Sequence, residues 1–463
     1  MCVLLWLLDL EQNIQSKNSY WNIIQVAIPM GVSIMIPQIS VFANTAFLGN
    51  FNSKVSSISA QDVLSVAGVA GVYYLVFALI TLGLATGMLM LMSRKAGLND
   101  HQGVGRYFSH GIILGFGLSW LLILICLLFS SSFFDYSLHN EGIEALGLDF
   151  VRIRVWGLPF LAAGFATNMF FVATKNTPYM IISAICQAVV NIALDYIFIF
   201  GNLGVAEMGI EGAAYASVCA EFTLWAVNFG ILFGFSRFRV YAISFFSKIK
   251  LSLIKEIFIK SSPLMLQFFI TIGAWEVFFI LIEHLGKLQL AASQVLRSLY
   301  GMIGIVVWAL AHTSNSMVSN LIGQGLNEHV IPLIKKIVTV SVLYAIIVGA
   351  LIFGLADHVL SFYTDSLELK LEAKSALLVV LLAGLVFGAA SISFNSMLGF
   401  GETRRVLFYE IFTVIVYLIY IFVIIEWLRL PLWAAWTSEI LYWLVTFLLS
   451  AYYIRSKRWI TKI

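Results

Sequence analysis

Apolar residues fall along this chain in long uninterrupted runs, broken only where charge, proline or glycine intervenes. Twelve runs stand out, at approximately 23–48, 63–92, 107–130, 148–173, 179–201, 210–235, 260–283, 289–322, 333–356, 374–399, 406–427 and 431–454. A helix needs about 20 residues to cross a hydrocarbon layer about 30 Å thick, and each run is at least that long. No water reaches the bilayer core to satisfy backbone polar groups, so apolar runs of this length predict helices throughout. Several runs are longer than a crossing needs, which implies tilt or ends that protrude into water. The expected fold class is an all-α membrane protein with twelve transmembrane helices.

Composition narrows the class further. Hydrophobic residues make up 61% of the 463 positions and charged residues only 11%, against roughly 25% charged in a soluble protein. That balance excludes a water-soluble enzyme, a disordered chain and a nucleic-acid binder. The net charge of +3 is too small to suggest an acidic partner, but its distribution sets the orientation. Nineteen Lys and Arg fall on the side that carries both termini, against seven on the other: Lys54, Arg152, Arg154, Lys287, Lys370, Lys374 and Arg429. Only Arg297 is left inside a span. Basic residues concentrate on the cytoplasmic side, so the expectation is a multi-pass protein of the cell (inner) membrane with both termini cytoplasmic. The opening MCVLLWLLDL is too short to span and has no basic n-region, so it is expected on the membrane surface rather than as a secretory signal. Cys2, Cys126, Cys186 and Cys219 have no CxxC spacing and read as small buried hydrophobes.

The densest basic stretch lies mid-chain and divides it. The expected organisation is an N-terminal cytoplasmic segment (1–22), an N-lobe of six spans (23–235), a basic cytoplasmic linker (236–259), a C-lobe of six spans (260–455) and a cytoplasmic tail (456–463). The two halves share sequence. Gly97-Leu98-Asn99-Asp100-His101 follows the second span, and Gly325-Leu326-Asn327-Glu328-His329 follows the eighth. Each half opens with a proline in its first span, Pro29 and Pro263, and both first spans end in Leu-Gly. Ala213-Ala214-Tyr215-Ala216-Ser217 is matched by Ala434-Ala435-Trp436-Thr437-Ser438. An even number of spans separates the copies, so the repeats run parallel: two pseudo-symmetric six-helix bundles, a 6+6 architecture typical of transporters.

A carboxylate at bilayer depth needs a partner, water or a role. Asp195 and Glu276 are the strongest candidates, followed by Glu221, Glu439 and Glu410. Asp195 sits late in the fifth span with Asn191 one turn away on the same face. Asn44, late in the first span, and Ser217, early in the sixth, fall at similar depth. One carboxylate with neutral oxygen groups suits a monovalent cation such as Na⁺. The same set also suits a proton on Asp195, or a polar knot that ties helices together. In the second half, Glu276 either pairs with Arg297 or faces a cavity where it attracts a cationic substrate or coupling proton. Glu410, a turn past Arg404 and Arg405, is expected to snorkel towards the interface. His312 is expected to be a hydrogen-bonded core residue rather than a proton relay. No GxxxxGK[ST], HExxH or GxSxG motif is present, which leaves ATP drive by this chain and intramembrane hydrolysis without support. No repeated filter-like segment points to a channel.

The helix-one stretch Ile28-Pro29 to Leu48-Gly49 resembles the multidrug and toxic compound extrusion (MATE) transporters over roughly residues 20–455. So do the segment Asn191-Ile-Ala-Leu-Asp195-Tyr-Ile-Phe-Ile-Phe-Gly201 and the run Met208-Gly209-Ile210-Glu211-Gly212-Ala213-Ala214. The resemblance implies export of amphipathic, cationic small molecules by alternating access, in exchange for Na⁺ or H⁺, with no other cofactor. It places the N-lobe cation site on Asn191 and Asp195, with Ser217 where the family usually has Thr. Where the family commonly has an Asp-Thr pair in helix one, this chain has Asn44-Thr45, so a relay through two N-lobe acids lacks one of them. Glu276 matches a helix-seven acid of some members. Their helix-ten acid has no counterpart in Phe387-Gly388-Ala389-Ala390-Ser391. The expected partners are small amphipathic organic substrates and membrane lipid, with no nucleic acid, and a monomer is expected. The alternative within transport is a flippase for lipid-linked sugars, against which stands the single intramembrane basic residue, Arg297.

Overall fold

A computed structural model describes residues 19–51, 60–137, 141–245, 249–364 and 366–460. The opening apolar segment, Lys54, Lys248 and Lys462 lie outside the described residues. The secondary structure of the described residues is helical. The helices are α1 (Tyr20–Gly49), α2 (Ala60–Gly97), α3 (His101–Ser137), α4 (Glu141–Arg154), α5 (Leu158–Ala173), α6 (Pro178–Phe200) and α7 (Gly209–Gly234). They continue as α8 (Leu251–Leu285), α9 (Lys287–Gly323), α10 (Val330–Gly354), α11 (Ala356–Tyr363), α12 (Leu367–Gly399), α13 (Thr403–Phe422) and α14 (Leu432–Arg455). Among the described residues, twelve helical segments are long and apolar enough to cross a membrane. The protein is a multi-pass membrane protein.

Two expectations about the elements change. The stretch 236–259 is not a plain linker: a 3₁₀ turn occupies Ser236–Tyr241, and α8 is already helical from Leu251. Arg152 and Arg154, counted above with the basic residues of the side opposite the termini, lie within a helical span. They end α4, and a 3₁₀ turn at Val155–Gly157 joins α4 to α5, so one broken span runs through Glu144–Ala173. Pro159 in the first turn of α5 restarts the helix where no backbone donor is required.

By backbone packing the chain divides into two units, one of Val32–Met265 and one of Met1–Gly31 with Leu266–Ile463. Each has its own core. In the first, Tyr73, Phe77, Phe134, Val151 and Leu158 are buried together. In the second, Phe278, Leu299, Phe387, Tyr417 and Trp436 are. Many large apolar side chains instead face outward, among them Phe42, Leu128, Phe408 and Ile419, as surfaces solvated by lipid rather than water allow.

The repeat is visible in the helix ends. After α2, Asn99 adopts a left-handed φ of 55° and donates its N–H to the Ala96 carbonyl, while Asp100 donates to Lys95. After α9, Gly325 (φ 75°) donates to Ile322 and Leu326 to Leu321. After α5, Lys175 (φ 59°) donates to Val172 and Asn176 to Phe171. After α12, Gly401 (φ 89°) donates to Leu398 and Glu402 to Met397. All four are the same left-handed termination, which satisfies carbonyls that the last helical turn leaves open. The left-handed residues pair up 226 positions apart, Asn99 with Gly325 and Lys175 with Gly401. The matching letters after α2 and α9 are 228 apart, so the turn geometry is the stricter guide to equivalence.

Candidate functional site

Among the described residues, the first unit encloses two carboxylates. Asp195 lies on α6, which Pro178 opens and Gly201, at φ 68°, closes. Its side chain is fully buried. Asn44 of α1 donates from Nδ2 to Asp195 Oδ1 at 3.1 Å, so two of the residues expected to act together do meet. The other oxygen, Oδ2, is buried with no hydrogen-bond partner, and Asn191 Nδ2 is in the same position one turn away. Ser217 is half-buried on α7, and no hydrogen bond joins it to Asp195.

The second carboxylate, Glu221 of α7, is held by Arg154, one of the seven basic residues counted on the side opposite the termini. Arg154 Nη2 donates to Glu221 Oε1 at 2.7 Å, with side-chain exposures of 15% and 4%. Tyr74 Oη donates to the same carboxylate at 3.1 Å, and the guanidinium lies over the Tyr74 ring, 4.0 Å from its centre. Gly157 makes room for this: a Cβ there would run into the Glu221 carboxylate and the Arg154 guanidinium. The sequence does hold a signal, since Arg154 lies inside an apolar run together with the helix punctuation Gly157 and Pro159. Arg154 is also within electrostatic reach of Asp195. The two carboxylates thus differ in compensation: Glu221 is ion-paired with Arg154, whereas among the described residues Asp195 has no cation within bonding distance and one amide donor.

The second unit is organised differently. Arg297 stacks over the Trp275 and Phe279 rings, 4.8 and 5.0 Å from their centres. It forms no ion pair with Glu276, which is half-buried and makes no hydrogen bond to a described residue. The buried acids are Glu410 and Glu439. Glu439 accepts from Trp275 Nε1 at 3.0 Å, Tyr417 Oη at 3.2 Å and Trp443 Nε1 at 3.3 Å. Glu410 does not snorkel. It is 1% exposed, and its Oε1 accepts from Thr271 at 2.5 Å and from Tyr442 at 2.6 Å. His312, expected as a hydrogen-bonded core residue, has its Nδ1 buried without a hydrogen-bond partner. Sequence reasoning ranked Glu439 low because its donors come from residues distant along the chain, on α8 and α13, as well as from its own turn.

The sequence matches the MatE family model over residues 19–197 and 263–423. The chain belongs to the MATE family of transporters. Solved structures share its fold at low identity. A MATE transporter crystallised in complex with MaD3S superposes with a TM-score of 0.84 at 17% identity, covering 94% of this chain and 96% of that one. An outward-facing multidrug resistance MATE transporter of the MOP superfamily gives 0.83 at 18% identity, over 94% and 96%. A MOP superfamily transporter from Pyrococcus furiosus, described as having a binding pocket of reverse polarity that suggests a different function, gives 0.83 at 18% over the same shares. As a MATE member the protein is a transporter and not an enzyme.

Proposed function

We propose that this MATE transporter is a secondary antiporter of the cell membrane, exporting amphipathic organic cations in exchange for Na⁺ or H⁺ by alternating access. Asp195 carries the coupling ion. The observation that supports this is the charge balance of the first unit: Glu221 is neutralised by Arg154, while Asp195 keeps one buried oxygen without a donor. A single uncompensated carboxylate in a dry interior is costly, and one monovalent cation or one proton removes that cost. On this reading Asn44, Asn191 and Ser217 turn their side-chain oxygens to a Na⁺ held at Asp195. Loading changes how α1, α6 and α7 pack, and that change resets the transporter after substrate release. A flippase acting on phosphorylated lipid carriers would need free basic groups within the membrane. Arg154 is engaged by Glu221 and Arg297 by two aromatic rings, which favours the antiporter.

The test is transport of a fluorescent organic cation in proteoliposomes, with Na⁺ and pH gradients imposed separately. One gradient is expected to drive export. Asp195→Asn is expected to abolish coupled transport while leaving the elution profile and melting temperature near those of the parent. Full export by that variant would overturn the assignment.

A further inference from the structure

Glu410 and Glu439 lie in the second unit, bonded to side chains of the same three helices, α8, α13 and α14, and neither takes part in the site around Asp195. They differ in what surrounds them. Both oxygens of Glu439 accept: Oε1 from Trp275 Nε1 at 3.0 Å and Tyr417 Oη at 3.2 Å, and Oε2 from Trp443 Nε1 at 3.3 Å. An indole N–H donates and never accepts, so this lining fits a charged carboxylate, and its two indoles offer nothing to a carboxyl proton. Glu410 has two hydroxyls instead, and both meet one oxygen, Oε1: Thr271 Oγ1 at 2.5 Å and Tyr442 Oη at 2.6 Å. A hydroxyl can accept as well as donate. Thr271 Oγ1 also lies 2.9 Å from the Gln267 carbonyl, and it has one hydrogen for two oxygens. When that hydrogen goes to the carbonyl, which can only accept, a proton on the carboxyl closes the contact with Glu410.

The electrostatics point the same way. Glu410 is buried, and among the described residues its bonds come from those two neutral groups. Arg405, earlier on α13, is held by Glu402 at 3.4 Å and lies over the Tyr453 ring, and Arg404 is exposed. A lone carboxylate in a dry interior is costly enough that the group takes up a proton instead. Tyr442 connects the two acids. Its hydroxyl reaches Glu410, while its ring packs on Tyr417 and Trp443, 5.6 and 4.8 Å between centres, and these two residues hold Glu439. Two negative charges linked through one tyrosine repel, and of two such acids one keeps its proton. We propose that the second unit binds one proton at neutral pH, on Glu410 between Thr271 and Tyr442, while Glu439 carries the charge. That proton closes contacts that join α8, α13 and α14, so alkali loosens them.

The test uses the full chain in detergent and infrared spectroscopy, which detects a protonated carboxyl by its C=O stretch. Isotope-labelled glutamate sets this signal apart from that of Asp195. A label-sensitive band is expected in the parent at neutral pH, lost in Glu410→Gln and kept in Glu439→Gln. In Glu410→Asp the band should persist without its sensitivity to the label, which covers the case where Glu410→Gln does not fold. Thermal unfolding gives a second readout. The folded parent holds a proton that the unfolded chain has released, so its stability falls as pH rises until that proton leaves. Relative to Glu410→Gln, its folding equilibrium constant should drop about tenfold for each pH unit over that range. The absence of a label-sensitive band in the parent would overturn the proposal. So would a band lost with Glu439 and kept without Glu410, or the same pH dependence in the parent and Glu410→Gln.

Discussion

Changing Glu221 to Gln removes the only carboxylate within bonding distance of the Arg154 guanidinium among the described residues and leaves that cation in a site where it is 15% exposed. At a charge separation of about 4 Å and an effective dielectric constant near 20, the lost attraction is about 4 kcal/mol. That agrees with the roughly 3–5 kcal/mol lost when one partner of a buried pair is deleted. The Tyr74 ring over the guanidinium offsets about 2 kcal/mol of this at a desolvated site. Glu221→Gln should therefore lower the melting temperature of the detergent-solubilised protein by on the order of 10 °C. Arg154→Met should do the same. The double variant Arg154→Met with Glu221→Leu should recover most of the loss, since apolar groups of similar volume replace a buried pair at little cost. Transport gives an independent reading. With Glu221 neutral, Arg154 compensates Asp195 instead, so coupling should fail even though Asp195 is intact. The reasoning is refuted if the two single variants each cost under about 1 kcal/mol and their effects simply add, because contacting charges must show coupling in such a cycle.

Two further outcomes follow from neutral contacts and from a helix end. Glu439→Leu leaves the Trp275, Tyr417 and Trp443 donors without their acceptor, about 1–3 kcal/mol for each group left unsatisfied. Glu439→Gln keeps one oxygen and should melt clearly higher than the Leu variant, and equal melting would show that the donors find other partners. Lys175→Gly should raise stability by about 1 kcal/mol, because Lys175 holds a left-handed φ of 59° that glycine adopts without strain. The second half already has Gly401 at the equivalent turn. Burial holds the Lys175 ammonium below its ordinary value, so its charged form destabilises the fold at neutral pH and the penalty fades as alkali removes the proton. The gain from glycine should accordingly shrink in melts run at rising pH, and a gain that grows with alkali would contradict this.

The membrane spans were legible because bilayer crossing dictates composition over whole helices, and small errors at the ends do not hide them. The Asp195–Asn44 contact was legible for a related reason: position along a span fixes depth, and two groups of similar depth in one bundle can meet. What depth cannot give is rotation about the helix axis. Ser217 and Asn191 share the estimated level of Asp195, yet neither is bonded to it. Glu410 follows two arginines in sequence, which suggested an outward-reaching side chain, while Thr271 and Tyr442 on other helices hold it inward. Counting charges by side puts Arg154 with the outer basic residues, while its ion pair with Glu221 buries it. The 3₁₀ turn at Val155–Gly157 joins α4 to α5 within one apolar segment, and such a break has no hydropathy signature.

The cancellation of Glu221 by Arg154 also bears on how voltage enters the cycle. If the pair stays closed, its net charge is zero and it adds nothing to the charge translocated, however the helices around it move. On the proposed reading only Asp195 and its ion contribute from this unit. Exchange of one Na⁺ or H⁺ for one monovalent organic cation is then electroneutral, whereas exchange for a neutral substrate moves one charge. Against 100 mV that difference amounts to about 2.3 kcal/mol. The membrane potential should thus alter the accumulation limit for neutral substrates by roughly 50-fold and leave that for monovalent cations untouched, so substrate charge alone decides whether the transporter responds to voltage.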